Sequence, residues 1–192
     1  MQKIGLFFGS FNPIHIGHLI VANVMAETTD FDKVWFIVSP QNPLKLSKGL
    51  LHEFDRYDMV QAAVADNYKL QVSDIEFNLP KPSYTINTLA HLTEKYPDKK
   101  FSLIIGEDNL ESFPRWKNHQ QIVDHYGLYV YPRPHVSESQ LKSHPNVKMV
   151  DAPLLDISAT FIRNCIKSNK SIRYLVPEPV ENMIKAKGFY IN

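Results

Sequence analysis

The chain has 192 residues, 44% hydrophobic and 21% charged: the length of one domain with a single core, and the balance of a globular protein. Its 21 basic and 20 acidic residues leave a net charge of +1, too little for a broad nucleic-acid or membrane-surface footprint, so neither is expected as a partner. One cysteine, Cys165, excludes a disulfide framework and a cysteine-built zinc site; with no basic leader and no apolar run of bilayer length, the chain reads as cytoplasmic.

Apolar β-rich runs alternate with helical patterns from end to end. In chain order the periodicities predict a strand over 3–8, a helix over 18–27, a strand over 33–38, a helix over 53–65 and a strand over 70–72. A helix over 85–95, a strand over 101–105 and a helix over 115–124 follow. Strands over 128–131 and 147–150 come next, and helices over 158–168 and 179–187 close the chain. The runs Val34-Trp35-Phe36-Ile37-Val38 and Phe101-Ser102-Leu103-Ile104-Ile105 are almost continuously apolar, the mark of strands covered on both faces. The expectation is one α/β domain over 1–192, a parallel sheet with helices on both faces and a C-terminal helical segment. The polar, proline-containing stretches 39–45 and 131–135 fall at carboxyl ends of strands, where open parallel sheets bind ligands.

Two stretches carry chemistry. After the first strand comes Gly9-Ser-Phe-Asn-Pro-Ile-His-Ile-Gly-His-Leu19, which lacks the spacing of the familiar glycine loops and holds two histidines instead. His18 opens a helix, where free N–H groups and the positive dipole end attract an anion, and Gly9 and Gly17 allow close backbone approach. Imidazole N–H groups donate to phosphate oxygens. A metal pair is disfavoured, because it wants i, i+4 spacing and a nearby carboxylate, which Ile14, Ile16 and Leu19 do not supply. Simple packing at a helix start stands beside phosphate binding as a reading of the histidines alone. Further on, Asp156-Ile-Ser-Ala-Thr-Phe-Ile-Arg163 reads as a loop entering a helix, with Ser158 as N-cap and Arg163 in the second turn. Alone it is a capped helix; with the first stretch it suits the outer phosphates of a nucleoside triphosphate.

Together these stretches resemble the HxGH-type and ISSTxxR-type signatures of the nucleotidyltransferase superfamily. The remainder resembles its bacterial nicotinate-nucleotide adenylyltransferases, through Ser39-Pro40 to Lys45, Arg56 with Met59, Ser83-Tyr84-Thr85 with Thr88-Leu89, Gly106 to Leu110 with Trp116, and Tyr174 to Pro177. The resemblance implies a Rossmann-like nucleotidyltransferase fold that transfers AMP from ATP to nicotinate mononucleotide, yielding nicotinate adenine dinucleotide and pyrophosphate. It assigns His15, His18 and Arg163 to the triphosphate and to catalysis. Gly9, Ser10 and Phe11 go to the loop along the phosphates, Gly106 and Asp108 to a turn near the adenosine, and Ile157 and Ser158 to a turn beside adenine. Thr85 and Trp116 match the nicotinate pocket, and Asn12, Lys45 and Arg133 the mononucleotide side. Phe8 stands where a first glycine is common, Leu44 where a histidine is common, and Ala159 where a second serine is common.

The mononucleotide's 5′-phosphate is itself a nucleophile, so in-line attack on the α-phosphorus needs no covalent enzyme intermediate. Mg²⁺ is the expected cofactor, held mainly by phosphates and water because no carboxylate cage is evident. The runner-up is phosphopantetheine adenylyltransferase, which shares both motifs; the Ser83-Tyr84-Thr85 helix start and Trp116 suit a flat anionic ring better than a thiol arm. A class I aminoacyl-tRNA synthetase would need a longer chain and a lysine-rich second signature. A non-catalytic nucleotide sensor would not need His18 and Arg163. Oligomeric state is left open.

Overall fold

The apolar runs pair as parallel strands because each must be covered on two faces. The computed structural model describes residues 1–41, 49–134, 136 and 138–191. Among these, six strands form one sheet: β1 (Gln2–Gly9), β2 (Lys33–Val38), β3 (Leu70–Ser73), β4 (Lys99–Gly106), β5 (Leu128–Tyr131) and β6 (Val147–Met149), in the order β3-β2-β1-β4-β5-β6. All five neighbouring pairs are parallel. Leu6 of β1 lies opposite Trp35 on one side and Leu103 on the other, which centres the most apolar strands in the sheet.

The described helices are α1 (Ile16–Thr28), α2 (Glu53–Val64), α3 (Thr85–Lys95), α4 (Asp108–Ser112), α5 (His119–His125), α6 (Ala159–Lys167) and α7 (Glu178–Lys187). Alternation within the strands splits the core in two. Phe7, Phe36 and Val38 pack with Met25 of α1, Met59 of α2, Ile162 of α6 and Ile184 of α7. On the opposite face Ile4, Leu6 and Ile105 pack with Leu89 of α3, Leu110 of α4 and Ile122 of α5. The chain leaves β1 towards β2 on one side and returns through β4 on the other, so the carboxyl ends of β1 and β4 flank a topological switch point. No described helix is long and apolar enough to cross a membrane.

Two helix expectations need correction. The first helix starts at Ile16, with His15 in extended conformation as its N-cap, so His18 sits in the first turn rather than opening it. The expected helix over 115–124 is broken into a 3₁₀ turn, Phe113–Arg115, and α5, which begins only at His119. Asn118, at φ +54°, accounts for the break: a left-handed residue cannot continue a right-handed helix. Ser158 caps α6 as expected, its Oγ accepting from the Phe161 N–H at 3.2 Å. Lys45 and the run from Asn42 that contains it lie outside the described residues.

Candidate active site

Above the switch point lies a cleft of about 620 Å³. Its floor is the turn after β1. A Cβ on Gly9 would come within 2.7 Å of the Phe11 ring, so only glycine lets that ring fold back over the strand end. Phe11 itself adopts φ +46°, a conformation costing on the order of 1–3 kcal/mol and tolerated where the surroundings over-determine it. Gly17 presents its bare Cα to the His15 ring, with a Cβ position only 3.1 Å from Nδ1.

That packing stacks His15 on His18, ring centres 3.7 Å apart, while Phe7 and Phe11 present edges or faces to His18 at 6.0 and 5.1 Å. The His15 backbone N–H donates to His18 Nδ1 at 3.3 Å. A neutral imidazole has one donor and one acceptor, so the proton of His18 resides on Nε2. Nδ1 of His15 is buried without a partner among the described residues. Burial, reinforced by the Arg133 charge, pushes His15 down to about 4; burial, then His15 and Arg133, holds His18 well below the ordinary imidazole value.

A histidine with a depressed folded pKa takes up its proton first in the unfolded chain. Its contribution to stability is therefore intact above the ordinary value of 6.5 and is lost as pH falls from there towards 4. Each such histidine should steepen the loss by about 1.4 kcal/mol per pH unit. Melting temperature recorded from pH 8 to pH 4 is expected to drop through that window, and a His15→Asn, His18→Asn variant is expected to flatten it. An unchanged profile in the variant would assign the acid sensitivity elsewhere.

Arg163 of α6 reaches back across the cleft: Nη1 donates to the Asn12 carbonyl at 2.7 Å and Nη2 to Thr160 Oγ1 at 3.1 Å. The Asn12 side chain, expected on the mononucleotide side, is committed to the protein. Its Oδ1 accepts from Tyr190 OH at 2.8 Å and the Leu51 N–H at 3.3 Å, and its Nδ2 donates to the Gly49 carbonyl at 3.1 Å. Ser10, Ile157 and Ser158 join the cleft wall, as do Gly106 and Arg133 across the switch point. Asp108 Oδ1 lies 3.6 Å from Arg133 Nε and beside Gly106, while its neighbour Asn109 lines the wall. At the far end stand Thr85, at the first position of α3, and Trp116. The N–H groups of Thr85 and Ile86 have no acceptor among the described residues, and Tyr84 supplies no side-chain cap.

Lys117 was not singled out from sequence, and Tyr84 only as part of the Ser83-Tyr84-Thr85 helix start. Lys117 and Tyr84 form the rim, with Lys117 Nζ 4.7 Å from the centre of the Tyr84 ring. Arg56, known from sequence only as part of a resemblance, is fully buried in α2. Its Nε donates to the Leu51 carbonyl at 2.9 Å, Nη1 to Ser10 at 2.6 Å and Ser39 at 2.8 Å, and Nη2 to Pro40 at 3.1 Å. One guanidinium thus ties the loops after β1 and β2 together. A charge on the apolar face formed by Met59, Val60 and Ala63 was the available signal. Arg56→Met should leave four carbonyls without that donor and cost about 1–3 kcal/mol of stability, read as a shift in urea midpoint.

The cytidylyltransferase-like family profile matches residues 6–165. A probable nicotinate-nucleotide adenylyltransferase of Cytophaga hutchinsonii is 64% identical over 191 residues, covering 100% of both chains. The chain belongs to the nicotinate-nucleotide adenylyltransferases. In fold, this adenylyltransferase matches Plasmodium falciparum nicotinic acid mononucleotide adenylyltransferase, solved in complexes with APC and with NaAD. Each has a TM-score of 0.83, at 18% and 19% identity, covering 99% of this chain and 98% of that one. The Rossmann-like expectation is met.

Proposed function

We propose that the protein transfers AMP from ATP to nicotinate mononucleotide, with the 5′-phosphate of the mononucleotide attacking the α-phosphorus in line and pyrophosphate leaving. The observation that carries this reading is the stacked His15–His18 pair at the switch-point crevice, with Arg163 on one wall and the uncapped start of α3 at the far end. Because the attacking phosphate is already anionic, the protein's work is alignment and charge stabilisation. The Nε2–H of His18 donates to the α-phosphate as charge develops there; His15 and Arg163 hold the leaving β- and γ-phosphates; Arg133 attracts the mononucleotide phosphate. Gly9, Ser10 and Phe11 line the phosphates, Gly106, Ile157 and Ser158 the adenosine, and Thr85 and Trp116 the pyridine ring.

Among the described residues no three His, Cys, Asp or Glu side chains converge as a metal cage. The side chains present are imidazole and guanidinium with backbone N–H groups, which suit phosphate oxygens, whereas Mg²⁺ prefers oxygen ligands. Mg²⁺ would enter with ATP, carried by phosphates and water, and would neutralise charge on the leaving pyrophosphate. A reaction between two soluble nucleotides fits a cytoplasmic location.

Pyrophosphate release from ATP, measured with nicotinate mononucleotide and separately with phosphopantetheine, tests the reading. Release with the first alone is expected; release with the second alone overturns it. Arg163→Ala is expected to weaken ATP binding about 10-fold or more while changing AMP much less, as for loss of a charged contact to the outer phosphates. Equal weakening of both nucleotides in calorimetric titration would move Arg163 off those phosphates.

A further inference from the structure

Glu76 lies in the 3₁₀ turn Ile75–Asn78 after β3 and is only 2% exposed, yet no lysine, arginine or histidine bridges it among the described residues. Buried glutamates are rarely left without a cation. Here hydroxyls take that place. Ser83 Oγ donates to Oε2 at 3.0 Å and Thr88 Oγ1 to Oε1 at 2.6 Å. These donors bracket the segment Tyr84-Thr85-Ile86, whose two free N–H groups open α3 beside the cleft. Glu76, Ser83, Tyr84 and Thr85 all border that same end of the cleft.

Burial pushes the Glu76 carboxyl above its ordinary value, while the two hydroxyls pull it back towards the ionised form. An ionised carboxylate only accepts hydrogen bonds, so both hydroxyls point their protons inward at it and their rotamers are set together. An amide would present a donor at one end and reverse one hydroxyl. Burying a carboxylate costs several kcal/mol, so a role in stability alone is met at lower cost by a neutral side chain. Direct contact with an anionic ring is ruled out by like charge.

We infer that Glu76 is a positioning residue for the mononucleotide: through Ser83 and Thr88 it fixes the start of α3 so that the Thr85 and Ile86 N–H groups converge on the pyridine carboxylate. This rests on the nicotinate reading above. Misplacement of such groups by about 1 Å costs on the order of 10²-fold.

The test compares wild type, Glu76→Gln and Glu76→Leu in steady-state kinetics with nicotinate mononucleotide, its nicotinamide analogue and ATP, alongside melting curves. Glu76→Gln, a near-isosteric change that removes a buried charge, keeps the comparison valid should Glu76→Leu fail to fold. For the acid substrate kcat/KM is expected to fall about 10-fold in Glu76→Gln and about 10²-fold in Glu76→Leu, mostly through KM. The KM for ATP should stay within about twofold, and the preference for acid over amide should shrink in step. Variants with altered melting temperature but unchanged KM and unchanged preference would overturn the proposal, leaving Glu76 a structural group. Equal use of acid and amide by the wild type would overturn the nicotinate reading itself, and the proposal with it.

Discussion

Replacement of His18 by alanine is expected to lower kcat by about 10²–10³-fold, the effect of removing one donor aimed at developing charge in a water-poor site. Three features of the fold support a figure at that level. The imidazole is held between His15, Phe7 and Phe11, so it needs no reorganisation as charge moves. Its Nδ1 already accepts a backbone N–H, which fixes the neutral tautomer with the proton on Nε2. Burial keeps it neutral before the nucleotide arrives, and a bound phosphate offsets the Arg133 charge that helps depress it. The interaction strengthens in the transition state, so kcat and kcat/KM should fall together while the mononucleotide KM changes little. His18→Asn, which offers a shorter N–H donor, should recover part of the loss. A His18→Ala enzyme with near-wild-type kcat would remove His18 from the mechanism.

Preference for nicotinate over nicotinamide mononucleotide is expected to reach at least about 10²-fold in kcat/KM, since sites built to satisfy buried hydrogen-bonding groups reject a mismatched analogue by up to about 10⁴–10⁵-fold. The start of α3 presents the Thr85 and Ile86 N–H groups without a side-chain cap, and at a helix's positive end. A carboxylate accepts from both; a carboxamide offers one oxygen and sets its own NH₂ against a donor. The decisive variant is Thr85→Pro. Thr85 occupies the first helical position, where proline is tolerated, and Tyr84 before it is extended at φ −101° and ψ 136°, the conformation a following proline requires. The change thus deletes one N–H with little harm to the helix. Discrimination should fall about 10-fold or more, on the scale of one charge-assisted hydrogen bond. If the wild type consumes acid and amide at equal kcat/KM, the assignment of this end of the cleft fails.

Much of the architecture was legible in the sequence, because its signals are local. Strands over 33–38 and 128–131 and the helix over 85–95 coincide with β2, β5 and α3 to the residue, since continuous apolar runs and i, i+3, i+4 spacing act over a few residues. The cap at Ser158 was readable for the same reason: it joins residues three apart. The two short motifs, through their family resemblance, also named the groups that border the cleft. Tertiary structure alone decided the rest. Strand order, and with it the crevice between β1 and β4, depends on how helices cover two faces, which no strand's own pattern encodes. The interruption at Asn118 overrode an otherwise helical stretch. Arg163 meets the Asn12 carbonyl across 151 residues, Arg56 gathers carbonyls from two loops, and Glu76 collects hydroxyls from Ser83 and Thr88. Arg56 and Glu76 are buried and must find partners when water is removed, Arg163 is half-buried, and the partners of all three become neighbours only after the chain has folded.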